Sequence, residues 1–251
     1  MKLSITAELD YTLGAPTDVL LQIEAAMLPE QSVEQARIDL PISEHFARIA
    51  RHDGISERIW LRGSGPFTVR YEAIVVIERL TAEIAQLKAV PPHLLPAETV
   101  EYMMPSRYCP SDEFGALVAD EFGRLEGGAR VAAMRDWIRQ HLAYVPGSST
   151  AGTGALETYV EREGVCRDFA YLLIAMVRAS AISARFASVY GHGVEPQDFH
   201  AVAEVFLDNT WYLADATGMS DGARMAKIGV GRDAADVSFL TSYGSATLNR
   251  R

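Results

Sequence analysis

The sequence predicts an α+β protein: an N-terminal antiparallel β-sandwich domain, then a segment that begins with helices and ends in strands. Three observations carry this prediction. Before residue 80 apolar and polar residues alternate with period two, as in Leu3-Ser-Ile-Thr-Ala-Glu-Leu9. Beyond residue 97 apolar residues recur at intervals of three and four, the spacing of a helix with one buried face. After residue 184 short β-branched runs return, separated by turn residues.

The first domain is assigned to residues 1–96, including a Pro-rich linker. Leu3–Leu9, Val19–Ala25 and the β-branched, aromatic run Phe67–Ile77 read as strands. Pro16, Pro29, Pro41, Asp53-Gly54 and Gly63-Ser-Gly-Pro66 read as the breaks between them. Several short strands at this spacing suggest a small sandwich. Pro91-Pro92 and Pro96 mark the linker, which places the boundary near residue 97.

The second domain, residues 97–251, opens with helical patterns over Asp112–Phe122 and Ala129–His141. Tyr144 to Gly154 is rich in Gly, Ser and Thr and reads as a surface loop. A helix then begins near Cys166 and carries the apolar run Tyr171–Val177. Arg185–Tyr190, Ala201–Leu207 and Trp211–Ala216 read as three strands, and Gly191–Asp198 as a turn-rich loop bordering them.

Composition narrows the function classes. A chain of 251 residues that is 49% hydrophobic can bury a substantial core. Its formal charge of −10, with no Lys/Arg cluster to offset it, argues against a nucleic-acid partner. The longest apolar runs are too short to span a bilayer, and the alternating N-terminus lacks the apolar core of a signal peptide. Two cysteines, Cys109 and Cys166, are too few for a disulfide framework, so a reducing cytoplasm is the expected location. Neither a metal nor a cofactor is expected, because the Cys and His residues are not clustered as ligands.

Chemistry concentrates in the second domain. Cys166 stands on the threshold of a buried helix, where unpaired N–H groups and the helix dipole favour a thiolate. His200 opens one strand and Asp215 closes the next, so a nucleophile, a base and an orienting acid follow in chain order. Strand geometry tests the last two. If Asp208-Asn209 is a two-residue turn, Leu207 opposes Thr210 and Asp215 falls opposite Val202. His200 is then its diagonal neighbour on the same face, roughly 7–8 Å away at the backbone and within side-chain reach. A three-residue turn would send Asp215 to the other face and separate the pair.

Gly164-Val-Cys-Arg-Asp-Phe-Ala170, Ala184-Arg185, His200-Ala-Val-Ala-Glu-Val205 and Asp215-Ala-Thr217 resemble the core motifs of the transglutaminase-like superfamily. Pro105-Ser-Arg-Tyr-Cys109 and Gly231-Arg-Asp-Ala-Ala-Asp236 resemble its bacterial branch described as cysteine proteases, so the similarity covers roughly residues 99–236. Val202, Ser183 and Ala216 stand where that family often carries Trp, Pro and Pro. The resemblance implies a papain-like core and a catalytic triad of Cys166, His200 and Asp215.

The expected chemistry is thiol-dependent acyl transfer or amide hydrolysis on a peptide or protein substrate. The alternative is a catalytically inactive peptide-binding module that keeps the fold; arylamine acetyl transfer is a weaker third reading. The Cys166 N–H is the expected first donor to the oxyanion. No second donor is assigned, since the Gln that papain-like enzymes use is absent from residues 144–165. Asp168 is expected to complement the helix dipole and Arg167 to face water. Glu204 either lines the cleft or forms a salt bridge, and Trp211 either walls the site or packs in the core. Cys109 has neither a helix start nor a paired base in view, His141 is expected to complement the C-terminal dipole of its helix, and His192 sits in a flexible Gly-His-Gly loop.

Overall fold

The computed structural model describes residues 1–50 and 54–249. Asp53, expected at a turn, lies outside them. The chain forms two compact units, and the first is built on two long antiparallel strands, β1 (Lys2–Leu21) and β4 (Glu57–Ile77). Their ladder runs from Lys2↔Val76 to Leu21↔Ile59. Leu3, Ile5, Ala7 and Leu9 oppose Val75, Ala73, Tyr71 and Val69, giving one apolar, buried face, as the period-two pattern requires.

The breaks expected at Pro16 and at Gly63–Pro66 do not end strands. Gly14, Ala15 and Pro16 are absorbed by a register shift between Leu13 and Thr17, where the partner strand advances only from Gly65 to Gly63. Pro66 is tolerated for a different reason. On the far side of β4, β2 (Gln31–Asp39) pairs with residues 70–77 and β3 (His45–Ala50) with residues 57–62. Residues 63–69 therefore have a single ladder, and a missing N–H there leaves no second ladder broken. Pro29 and Pro41 do fall between strands.

The second unit contains five helices and the short strands among them. After 3-10 turns at Ile84–Gln86 and Pro92–Leu94 come α1 (Ala97–Val100) and a 3-10 turn at Glu101–Met103. The helix expected from Asp112 opens as a 3-10 turn, Ser111–Phe114, and becomes α2 (Gly115–Phe122). Then follow α3 (Gly127–His141), β5 (Ala143–Tyr144), α4 (Ala155–Glu161), β6 (Glu163–Gly164) and α5 (Cys166–Ala179). Next come three of the four strands of one sheet, the antiparallel neighbours β7 (Ala184–Gly191), β8 (His200–Leu207) and β9 (Thr210–Ala214).

α5 is the centre of this unit. Every residue from Asp168 to Arg178 is buried, so the helix is enclosed on all sides. Val131, Met134 and Ile138 of α3 share its core with Ala203, Val205 and Leu207 of β8. Arg178 would be costly in such a position without partners. It donates to the Ala184, Met104 and Arg232 carbonyls and to Ser106 Oγ, at 2.6–3.1 Å. Asp233 accepts from the Tyr108 N–H at 3.0 Å. The motifs Pro105–Cys109 and Gly231–Asp236 are thus clasped together beside the C-terminal end of α5.

The division of the chain differs from the expected cut at residue 97. Residues 80–96 belong to the second unit: Gly128 N–H donates to Leu87 O, Asp208 N–H to Lys88 O, and Ala89 bridges Leu207. Gly128 permits that close approach, since a Cβ there would lie 1.7 Å from Ile84 O. Further on, Ala226–Gly229, within β10 (Met225–Gly231), and residues from Ser238 onward group with the first unit. For the residues from Ser238 onward the physical reason is the outer edge of β1, whose backbone groups would otherwise lack a ladder; Lys227 instead accepts from the Ala26 N–H and donates its own N–H to Gln31 Oε1. β11 (Leu240–Ser242) pairs with Val19–Leu21 and β12 (Ala246–Leu248) with Tyr11–Leu13.

Candidate active site

Cys166 is the first residue of α5, and its position is set by a cluster of polar contacts around the helix start. Val165 is extended, and its N–H donates to Asp168 Oδ2 at 2.8 Å. Asp168 Oδ1 accepts from Ser149 Oγ at 2.9 Å, and Arg167 donates to Ser149 Oγ at 2.7 Å and Thr150 O at 3.0 Å. Gly164 is needed here, because a Cβ would come within 2.7 Å of Asp168 Cβ. Burial pushes the Asp168 carboxyl above its ordinary range, against the Val165 N–H, Ser149 and Arg167. Asp168 therefore anchors the 145–154 loop to the helix start as well as complementing the dipole. Arg167 belongs to that anchor instead of simply facing water.

His200 and Asp215 are brought together by the hairpin register. Asp208 and Asn209 have φ of 45° and 59°, the left-handed pair of a two-residue turn matched to strand twist. Leu207 opposes Thr210, and the ladder continues to Ala203↔Ala214. One step further puts Asp215 level with Val202 and diagonal to His200. The side chains close the gap, with His200 Nε2 3.0 Å from Asp215 Oδ2. Asp215 is held in turn by Thr217 N–H at 2.8 Å, Thr217 Oγ1 at 2.7 Å and Ser220 N–H at 3.1 Å.

Both side chains are almost completely buried, His200 at 0% and Asp215 at 3% exposure. Burial alone would lower the imidazole pKa, but the bond to Asp215, the Cys166 side chain and the Asp215 charge outweigh it and raise it to about 9. Asp215 shifts the opposite way: burial opposes ionisation, yet His200, Thr217 and the Ser220 N–H hold it below the usual carboxylate range. Nδ1 meets no conventional hydrogen-bond partner, although the Cys166 side chain acts on the ring. With Nε2 committed to Asp215, Nδ1 is the nitrogen left to face sulfur. Cys166 itself is half-buried, its Sγ 3.9 Å from Phe199 O. Such a thiol, imidazole and carboxylate can support nucleophilic attack, proton transfer and orientation of the base.

The remaining candidates fall away from this cluster. Cys109 is wholly buried, and desolvation pushes its thiol up to about 12. Glu204 accepts from Arg185 Nε at 2.7 Å as a buried ion pair and lines no cleft. Trp211 packs against the Arg185 guanidinium, Tyr102 and Phe206. His141 donates to Trp137 O at the end of α3, and His192 meets the Arg224 guanidinium. Among the described residues, no group of three or more His, Cys, Asp or Glu is placed to hold a metal ion. Nor is any helix long and apolar enough to cross a membrane.

One neighbour of Cys166 carries no sequence signal. Tyr144, in a segment that reads as a loop, belongs to the two-residue strand β5, and its hydroxyl interacts with both the backbone and the side chain of Cys166.

Residues 118–216, which contain Cys166, His200 and Asp215, match the model of the transglutaminase-like superfamily core. A crystal structure of a "Putative Cysteine Protease" from Cytophaga hutchinsonii superposes with a TM-score of 0.92 at 32% identity, over 100% of this chain and 88% of that one. An uncharacterized protein of Mycobacterium leprae is 28% identical over 150 residues, 56% of this chain and 53% of its own. The chain therefore spans about half the length of that relative.

Proposed function

Since the chain belongs to the transglutaminase-like superfamily, we propose that it is a thiol enzyme performing acyl transfer or hydrolysis on amide groups of peptide or protein substrates, with Cys166, His200 and Asp215 as its triad. The observation that carries this is the 3.0 Å His200–Asp215 contact, which leaves the other ring nitrogen for Cys166. The name of the Cytophaga relative supports the same class.

The steps follow from the roles. His200 takes the Cys166 proton, and sulfur attacks the substrate carbonyl carbon to form a C–S bond and a tetrahedral oxyanion. The Cys166 N–H at the helix start donates to that oxygen. Collapse breaks the C–N bond, and the leaving amine takes the proton held by His200. Asp215 stabilises the imidazolium between these events. The thioester then passes to water or to a second amine, and whichever acceptor reaches it decides between hydrolysis and transfer.

The test is activity profiling against a peptide library with and without an added primary amine, read by mass. Acyl-enzyme on Cys166 and product release support the proposal; amine-dependent products assign transfer. A chain that never acylates Cys166, yet binds peptides, is a binding module instead.

A further inference from the structure

The proposed mechanism leaves the oxyanion with one donor, and a lone N–H is a weak cradle for a full negative charge. Tyr144 is held next to that N–H by backbone pairing. β5 and β6 are parallel, with Tyr144 aligned to Gly164, two residues before Cys166. Ala143 N–H donates to Arg162 O at 2.8 Å and Val145 N–H to Gly164 O at 2.9 Å, so bonds on both sides fix the tyrosine backbone. Its ring lies against Phe169, one helical turn beyond Cys166, with centroids 6.0 Å apart. The pairing with Gly164 and the packing on Phe169 leave the hydroxyl end on the Cys166 side, where the Cys166 N–H and thiol act on it.

From this placement we infer that Tyr144 is a catalytic residue, the second hydrogen-bond donor to the oxyanion opposite the Cys166 N–H. The inference rests on the proposed thiol chemistry. In the free protein the phenol oxygen is close enough to Cys166 for its N–H and thiol both to act on it. The substrate oxygen then accepts from that N–H, and the phenol O–H turns onto the same oxygen. The Ser149 hydroxyl is already committed, since its proton goes to Asp168. The phenol also stays protonated in the working range. Burial and the charges of Cys166 and Asp198 raise its pKa to about 12, against the pull of the Cys166 N–H. It therefore donates, and does not take the thiol proton.

The test separates two reactions of one sulfur. Alkylation by iodoacetamide is a displacement at a CH2 group and builds no oxyanion, whereas acylation by p-nitrophenyl acetate does. Tyr144→Phe keeps the ring against Phe169 and removes only the hydroxyl. The expected result is alkylation of Cys166 within about threefold of the unmodified protein, with acylation slowed roughly 100-fold, the usual effect of deleting one such donor. Acylation unchanged overturns the inference. An equal slowing of both reactions also overturns it, because the hydroxyl then acts by positioning the thiol. If the unmodified protein alkylates at Cys166 but never acylates, the thiol-enzyme proposal fails and this role fails with it. Continued alkylation in the variant shows that it has folded.

Discussion

Cys109 and Cys166 lie in the same unit of the same chain, yet their surroundings are opposite in kind. Cys109 has no exposed surface, and desolvation pushes its thiol up to about 12, so at neutral pH it behaves as a small apolar side chain. Cys166 is half-buried at a helix start, beside an imidazole whose second nitrogen is held by a carboxylate. The difference teaches that a cysteine's function resides in what surrounds the sulfur. A thiol needs access, a base and unpaired donors together.

The largest expected effect breaks the comparison outright. Cys166→Ala should reduce acyl turnover by about six orders of magnitude, as loss of a nucleophile does in other triads, while Cys109→Ala leaves it unchanged. Turnover surviving in Cys166→Ala, measured by release of p-nitrophenol, would remove Cys166 from the chemistry.

Next comes the pair behind the sulfur. Asp215→Asn preserves volume but removes the charge that orients and stabilises the imidazolium. Acylation should fall by up to about four orders of magnitude, less if the thiolate forms easily, and Cys166 alkylation should slow as well. A variant that keeps both rates would reduce Asp215 to a strand-end hydrogen-bond acceptor.

The comparison is sharpened by direct labelling. At pH 7 iodoacetamide should modify Cys166 at least about 100-fold faster than Cys109. In urea the two rates should converge, because the contrast is a property of the fold. Peptide mapping by mass reads both, and preferential labelling of Cys109 in the folded protein would invert the assignment.

The smallest effect concerns pH. The folded His200 pKa of about 9 lies above its ordinary 6.5. Its contribution to stability is complete below about 6.5 and is lost as pH rises through about 9. Asp215, held below its ordinary value, contributes above that value and loses the contribution as pH falls through its folded pKa. Thermal unfolding should therefore show a decline of a few degrees between roughly pH 6.5 and 9 that flattens in Asp215→Asn. Parallel curves for the two proteins would show that the pair does not couple to folding.

Much of this arrangement is legible in local stretches of the sequence. The helix start at Cys166, the strands that carry His200 and Asp215, and the two-residue turn at Asp208-Asn209 all follow from local pattern and turn chemistry. Register is a local property of a hairpin, so the meeting of His200 with Asp215 is within reach of parity arithmetic. Glu204 is harder, because strand parity places it on the His200 face but says nothing of Arg185 on the neighbouring strand.

What the sequence by itself determined is therefore the set of local segments and the order of chemical groups along them, since periodicity and turn preference act over a few residues. Tertiary structure alone decided which distant segments meet. It carried β1 past Pro16 and β4 past Pro66, and it drew the C-terminal strands back to the open edge of β1. It also laid Tyr144 beside Gly164 through a parallel ladder only two residues long, too short to leave a periodic signal. The physical reason is the same throughout. Unpaired backbone groups and desolvated side chains must be satisfied somewhere, and which partner satisfies them depends on the packed chain as a whole.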